Sequence, residues 1–119
     1  MKTTVLFTVL ALLLSACQLR STDLSSRLSL DHPERNVLCD QYICADSQGI
    51  SKVLTEKYLG EGQADQVFSK GSFDTTQFTF DNGVFCDSKA QMCYVDRYFD
   101  SDGKRSQKAM DYTKALFAQ

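Results

Sequence analysis

Apolar and polar positions alternate with a period of two between Phe73 and Phe99, and fall at helical spacing on either side of that stretch. The segment FDTTQFTFDNGVFCDSKAQMCYVDRYF holds most of the chain's aromatic residues and two of its five cysteines. It predicts three short antiparallel strands. Asn82-Gly83 is a strong hairpin signal, because both central residues of a type I′ turn need positive φ. A two-residue turn there pairs Phe80 with Phe85 and Thr79 with Cys86. A four-residue loop over Ser88 to Gln91 pairs Cys86 with Cys93 and Phe85 with Tyr94. Side chains alternate along a strand. One face should then carry Phe78, Phe80, Phe85, Tyr94 and Tyr98, and the other Val84, Cys86, Cys93, Val95 and Phe99. A bulge at Gly83 would shift the first pairing.

Helical spacing brackets these strands. Ser51 can cap a helix through Leu59 with Val53, Leu54, Tyr58 and Leu59 on its apolar side, and Gly60 stops it. A second short helix is expected over Gln63 to Lys70, ended by Gly71. A third is expected from Ser106 to Phe117, with Ala109, Met110, Thr113, Leu116 and Phe117 on one face. The fold class is therefore α+β: a small three-stranded antiparallel meander packed with two or three short helices.

Residues 1–16 read as a secretion signal, with Lys2 as the positive end and an apolar run from Val5 to Leu14 too short to span a bilayer. The run ends Leu14-Ser15-Ala16-Cys17, which resembles the lipobox of bacterial lipoproteins. That resemblance implies lipidation of Cys17 and a mature chain of 119 − 16 = 103 residues. Gln18, rather than Asp, follows the cysteine, and by analogy with enterobacterial sorting this points to anchoring of the exported, periplasmic protein at the outer membrane. The alternative is an ordinary signal peptide with a chance cysteine. Residues 17–36 carry serines and mixed charges and no aromatic residue. They read as a flexible tether that buries too little apolar surface to fold alone. His32, the sole histidine, falls inside it and reads as inert. The single folded domain is expected over residues 37–119.

Removing Cys17 leaves Cys39, Cys44, Cys86 and Cys93. An even number in a small exported domain implies disulfides. The strand register favours Cys86 with Cys93, leaving Cys39 with Cys44; the rival pairing would cross between the two pairs. Each small ring would remove about 2 to 3 kcal/mol of unfolded-chain entropy. Spacings of four and six residues between cysteines do not suit common zinc sites, so no metal is expected. The formal charge is −2 over the whole chain, which gives no electrostatic case for nucleic acid.

Two parts of the chain rhyme. Val37-Leu38-Cys39-Asp40, then Cys44, Asp46-Ser47-Gln48-Gly49, Ser51 and Thr55, is echoed by Val84-Phe85-Cys86-Asp87, then Cys93, Asp100-Ser101-Asp102-Gly103, Ser106 and Thr113. Either the chain contains an internal duplication or the two halves converge on common turn chemistry. LTEKYLG (54–60), GSFDTTQFTFDNGVFCD (71–87), DRYFDSDGKRS (96–106) and the closing YTKALF resemble the YcgJ-type, Fels prophage protein-like family of small exported enterobacterial proteins. The resemblance covers about Val37 to Phe117. It implies an exported protein and brings no catalytic or binding residues to carry over.

Catalytic chemistry finds no support in the residues. Nucleophilic catalysis lacks a base, since His32 is the only histidine, no cysteine is expected to be free, and the fifteen acidic residues form no recognisable motif for glycoside hydrolysis. No enzyme activity and no cofactor are expected. Asp100-x-Asp102-Gly103 echoes a calcium loop but lacks its closing Glu, and reads as a turn. Lys104, Arg105 and Lys108, placed at the start of the last predicted helix, oppose its dipole. They are either solvated surface charge or a candidate anion site for an anionic envelope ligand. The expected function is a non-catalytic binding module of the cell envelope, held to the membrane by its lipid and engaging an envelope protein. The alternative is an inhibitor of an envelope hydrolase such as lysozyme.

Overall fold

The fold, obtained as a computed structural model, describes residues 28–118. It is α+β as expected, with two antiparallel sheets where the sequence suggested one. The first sheet orders β1 (Asp31–Glu34), β2 (Val37–Cys39), β3 (Cys44–Asp46) and β4 (Gly49–Ile50) side by side. The helices α1 (Lys52–Leu59) and α2 (Glu61–Phe68) follow, then the second sheet of β5 (Gln77–Thr79), β6 (Phe85–Asp87) and β7 (Met92–Tyr94). Helix α3 (Met110–Phe117) closes the chain.

The expected tether is shorter than its composition suggested. Leu28 and Leu30 are buried in the main core, and the next four residues form β1 against β2. Asn36 turns this hairpin with φ 61°. Its side-chain amide donates to the Leu116 and Ala118 carbonyls at 2.8 and 2.9 Å, closing the open end of α3. Two leucines two residues apart dock on one face, a local pattern that an average over a polar segment conceals. The remainder of the expected tether, like Cys17 and the signal segment, lies outside the described residues.

The helices follow their sequence signals with shifted ends. The Ser51 hydroxyl accepts from the Leu54 N–H at 3.1 Å, and α1 stops at Gly60. Helix α2 begins two residues before Gln63. Helix α3 begins four residues after Ser106, because residues 104–108 are extended and bridge Phe99 and Tyr94.

The second hairpin turn is as expected, with Cys86 opposite Cys93. The first slips by one residue: Phe78 faces Cys86 and Thr79 faces Phe85. The loop is Asp81-Asn82-Gly83, closed by Gly83 N–H to Phe80 O and Phe80 N–H to Val84 O, with Gly83 at φ 93°. Tertiary partners select it over the two-residue turn. The Asp81 N–H donates to the Asp40 carboxylate at 2.6 Å, and the Asn82 amide donates to Ser29 Oγ at 2.8 Å. The slip exchanges faces. Phe78, Phe80, Val84, Cys86 and Cys93 enter the main core with Leu116 and Phe117 of α3. Phe85 and Tyr94 lie on the other side.

Both expected disulfides are present. Cys86–Cys93 lies in the main core, and Cys39–Cys44 lies in a second cluster with Val37 under Leu54, Tyr58 and Leu59 of α1. Strand β2 is thus buried on both faces, Leu38 towards α3 and Val37 and Cys39 towards α1. The two sheets join where Ile50 N–H donates to Thr75 O at 2.9 Å.

Candidate functional site: an arginine–aromatic loop

Between β7 and α3 the chain runs through residues 95–109 without regular secondary structure, yet it is tied at every turn. The Asp96 N–H donates to Ser106 Oγ, which donates back to the Asp96 carbonyl at 3.0 Å. At the tip, Asp100 Oδ1 accepts from the N–H groups of Asp102 and Lys104 at 2.8 and 2.9 Å. The DSDG segment is therefore an Asx turn, with both N–H donors drawn from its own backbone. Among the described residues no cluster of His, Cys, Asp or Glu is arranged to hold a metal ion.

Arg105 is the centre of this loop. Its guanidinium lies 4.4 Å from the Phe85 ring centroid, 4.1 Å from Phe99 and 5.4 Å from Tyr94, and donates to the Arg97 carbonyl at 3.3 Å. Arginine stacks on aromatic faces because its planar cation is weakly hydrated and meets the negative face of the ring. The slipped register explains why these rings are there. Phe85 and Tyr94 face away from the core, and Arg105 covers them in place of a helix.

Of the three cations singled out in the sequence, Arg105 is spent on this packing, and Lys104 and Lys108 are exposed on extended chain. None lies in the first turn of a helix. That turn carries Asp111, which favours the helix dipole instead of opposing it. An anion site at Lys104, Arg105 and Lys108 built on a helix start is therefore not what the chain forms: the helix begins at Met110, too late to offer its N–H groups to them.

What the loop presents outward was not anticipated. Tyr98 is 62% exposed, Phe99 58% and Val95 45%, and Arg97 lies over the Tyr98 ring at 5.1 Å. A cavity of about 250 Å³ opens at its foot between Tyr98, Asp96 and the Asp81–Gly83 turn. Period-two alternation assigned Tyr98 and Phe99 to opposite faces of a strand that ends before them, at Tyr94. The available signal was the mismatch between halves: β3 reaches its next strand from Asp46 to Gly49, while Tyr94 reaches its partner only at Lys108.

The YcgJ protein family model matches residues 30–117, from the buried Leu30 to the end of α3. This chain belongs to the YcgJ family. It is 53% identical over 89 residues to the Escherichia coli (strain K12) protein described as "Uncharacterized protein YcgJ", covering 74% of this chain and 73% of that one. No solved structure matches. The family match begins seven residues before Val37, in line with the strand that the structure adds at Asp31–Glu34. Both disulfides, the Arg105 stack and the 95–109 loop of this YcgJ family member lie within the matched span.

Proposed function

We propose that this chain is an exported, lipid-anchored envelope protein acting as a non-catalytic binding module through the loop at residues 95–106. One observation carries the reading: Val95, Tyr98 and Phe99 stand exposed on a loop fixed from beneath by the Arg105 stack. A fold that needed these side chains for its own core would bury them. Tyr, Phe and Arg held rigidly at a surface are the residue types that dominate protein interfaces, because little conformational entropy is lost when they dock. The lipobox-like Leu14-Ser15-Ala16-Cys17 supports the anchor.

The test places a photo-crosslinking residue at Tyr98 or Phe99 in the anchored protein in intact cells, with Val53 of α1, also exposed, as the control position. A discrete adduct from the loop positions and none from Val53 supports the reading. Equal labelling at both removes it. Replacing Cys17 with Ser should move the protein from the detergent phase to the aqueous phase of a detergent partition; wild type already in the aqueous phase would remove the anchor.

The same loop supports a second reading, inhibition of an envelope hydrolase such as lysozyme. Tyr98 and Phe99 project beside Asp96, Asp100 and Asp102, an aromatic and acidic tip of the kind that can fill a hydrolase cleft. A peptidoglycan-clearing assay with and without the protein separates the two readings.

A further inference from the structure

The Asn82-Gly83 turn carries reactive chemistry as well as a shape. Glycine has no Cβ to crowd its backbone nitrogen. An asparagine followed by glycine is therefore the context in which the side-chain amide carbon is most open to attack by the next backbone nitrogen. Asn82 is exposed, so water reaches it, and nothing lies within 4 Å of where a Cβ on Gly83 would stand. Asn36, the other asparagine of the chain, precedes Val37, whose branched side chain crowds the same approach.

In the folded chain every atom that must move is held. The Asn82 amide N–H₂ donates to Ser29 Oγ at 2.8 Å and to the Tyr112 hydroxyl at 3.2 Å, and Oδ1 accepts from the Val84 N–H at 3.0 Å. The attacking atom is engaged too, since the Gly83 N–H donates to the Phe80 carbonyl at 2.9 Å. Ser29 and Tyr112 also hold one another: the Ser29 N–H donates to the Tyr112 hydroxyl, and the two hydroxyls are in contact, both at 3.2 Å. Ser29 comes from the segment ahead of β1 and Tyr112 from α3. The donors of the carboxamide thus go to distant parts of the chain, whereas its oxygen stays within the turn. Attack on Cγ requires the carboxamide to rotate away from both hydroxyls, so it waits on a local opening.

We propose that Asn82 is a site of spontaneous covalent modification gated by Ser29 and Tyr112. When both hydroxyls let go, the Gly83 nitrogen loses its proton to water and attacks Asn82 Cγ. The new N–Cγ bond replaces the Cγ–Nδ2 bond, and the amide nitrogen takes a proton from water and leaves as ammonia, closing a succinimide ring. Water then opens the ring. Cleavage at Cγ leaves aspartate, and cleavage at the backbone carbonyl carbon leaves isoaspartate. The net exchange is amide and water for carboxylate and ammonium. Either product replaces two donors with an acceptor-only carboxylate. It also adds negative charge beside Asp81, whose N–H is held by the Asp40 carboxylate at 2.6 Å. Isoaspartate further lengthens the backbone by a methylene, inside a loop closed by Gly83 N–H to Phe80 O and Phe80 N–H to Val84 O. The step runs one way, so modified chain accumulates with the time the segment ahead of β1 spends off the turn. The proposal is independent of binding by the loop at residues 95–106.

The test incubates the disulfide-intact full chain at neutral pH, then reduces and digests samples with trypsin. Chromatography with mass spectrometry separates the asparagine, aspartate and isoaspartate forms of the peptide spanning residues 71–89. A synthetic peptide of the same residues supplies the ungated rate. The folded chain should convert more slowly than the peptide. Ser29→Ala and Tyr112→Phe should each accelerate it by about two- to ten-fold, the change in open population for one lost hydrogen bond. Thr55→Val, which weakens the fold away from Asn82, should leave the rate unchanged. In the modified fraction, isolated by ion exchange on its added charge, the Phe80 amide should exchange faster. Equal rates in chain and peptide, indifference to both hydroxyl substitutions, or the same acceleration by Thr55→Val would overturn the gate. An unchanged Phe80 amide in the modified fraction would overturn the effect on the turn.

Discussion

Thr55 and Thr113 hold the two halves of the molecule in the same way. The Thr55 hydroxyl accepts from the Cys44 N–H at 3.0 Å and donates to the Ser51 carbonyl at 2.7 Å. The Thr113 hydroxyl accepts from the Cys93 N–H at 2.9 Å and donates to the Ala109 carbonyl at 3.0 Å. Each threonine thus locks the second cysteine of a disulfide hairpin to the first turn of the helix that covers it. The parallel extends outward. Asp40 caps the backbone two and three residues ahead, and Asp87 does the same. Ser51 N–H donates to Cys44 O, and Ala109 N–H donates to Cys93 O. The rhyme in the sequence is a structural repeat, with Ser51 matched by Ala109 and not by Ser106.

Replacing either threonine with valine keeps the shape and removes the hydroxyl, so a fully buried cysteine N–H loses its partner. The expected cost is about 1 to 3 kcal/mol for each, the penalty of an unsatisfied buried donor. Urea unfolding measures it, and amide exchange at Cys44 or Cys93 should accelerate in the matching variant alone. A cost below about 0.5 kcal/mol in both would remove the threonines from the account of what couples helix to disulfide.

Acid should loosen the added edge strand. Tyr58 and then Lys57 hydrogen-bond the Glu34 carboxylate and hold its pKa below the ordinary 4.5, against a smaller opposing effect of burial. Asp74 is likewise lowered from 3.8, by the Thr76 side chain and N–H. A depressed folded-state value means that folding favours the ionised form. The contribution is complete above the ordinary value and is lost as pH falls through the folded one. Because these groups are exposed, the effect is small. Glu34→Gln should flatten the dependence of the unfolding midpoint on pH below 4.5. An unchanged slope would mean that the Glu34 contact is not formed in solution.

How much of this was legible in the sequence depends on where each signal resides. Ser51, Gly60 and the Ser88–Gln91 loop act locally, and each set its element where its neighbours alone would place it. The disulfide pairs followed from the same local register. The Asn82-Gly83 turn failed because its shape is chosen by Asp40, forty-one residues away, and by Ser29. That slip moved Phe85 out of the main core cluster, buried it instead under the Arg105 stack and left Tyr98 and Phe99 exposed. The candidate loop was invisible for a tertiary reason, although the aromatic residues that build it, Phe85, Tyr94, Tyr98 and Phe99, all lie between Phe73 and Phe99.

The inverted sheet predicts unequal roles for two phenylalanines expected to be equivalent. Phe80, 2% exposed, packs edge-on to Phe78 at 5.3 Å within the main core. Phe80→Ala should cost about 3 to 5 kcal/mol. Phe85 is covered by Arg105, so the two should be coupled. A double-mutant cycle of Phe85→Leu and Arg105→Gln is expected to return about 0.5 to 2 kcal/mol of interaction. Additive effects would mean that the stack is not formed, and the loop at residues 95–106 would lose its support.

Gly49 supplies the sharpest test of how the two sheets meet. It adopts φ 125°, and a Cβ built on it would lie 2.2 Å from the Thr75 carbonyl oxygen. That carbonyl accepts the Ile50 N–H, so the close approach and the sheet junction are the same feature. A methyl group there must push backbone away from backbone, and no flexible side chain can yield in its place. Nearby ties are weaker: Ser88 Oγ donates to Gln48 O at 3.2 Å, and the Gln91 amide to Ser47 O at 3.3 Å. Gly49→Ala should therefore cost about 1 to 3 kcal/mol from overpacking, with backbone strain at positive φ added to it. Gly83→Ala is the control: its φ is 93°, but nothing lies within 4 Å of the added Cβ, so it carries the strain without the clash. Exchange of the Ile50 amide should accelerate in Gly49→Ala and stay slow in Gly83→Ala. Equal destabilisation by the two substitutions, with the Ile50 amide still protected, would show that the sheets are not joined through Thr75.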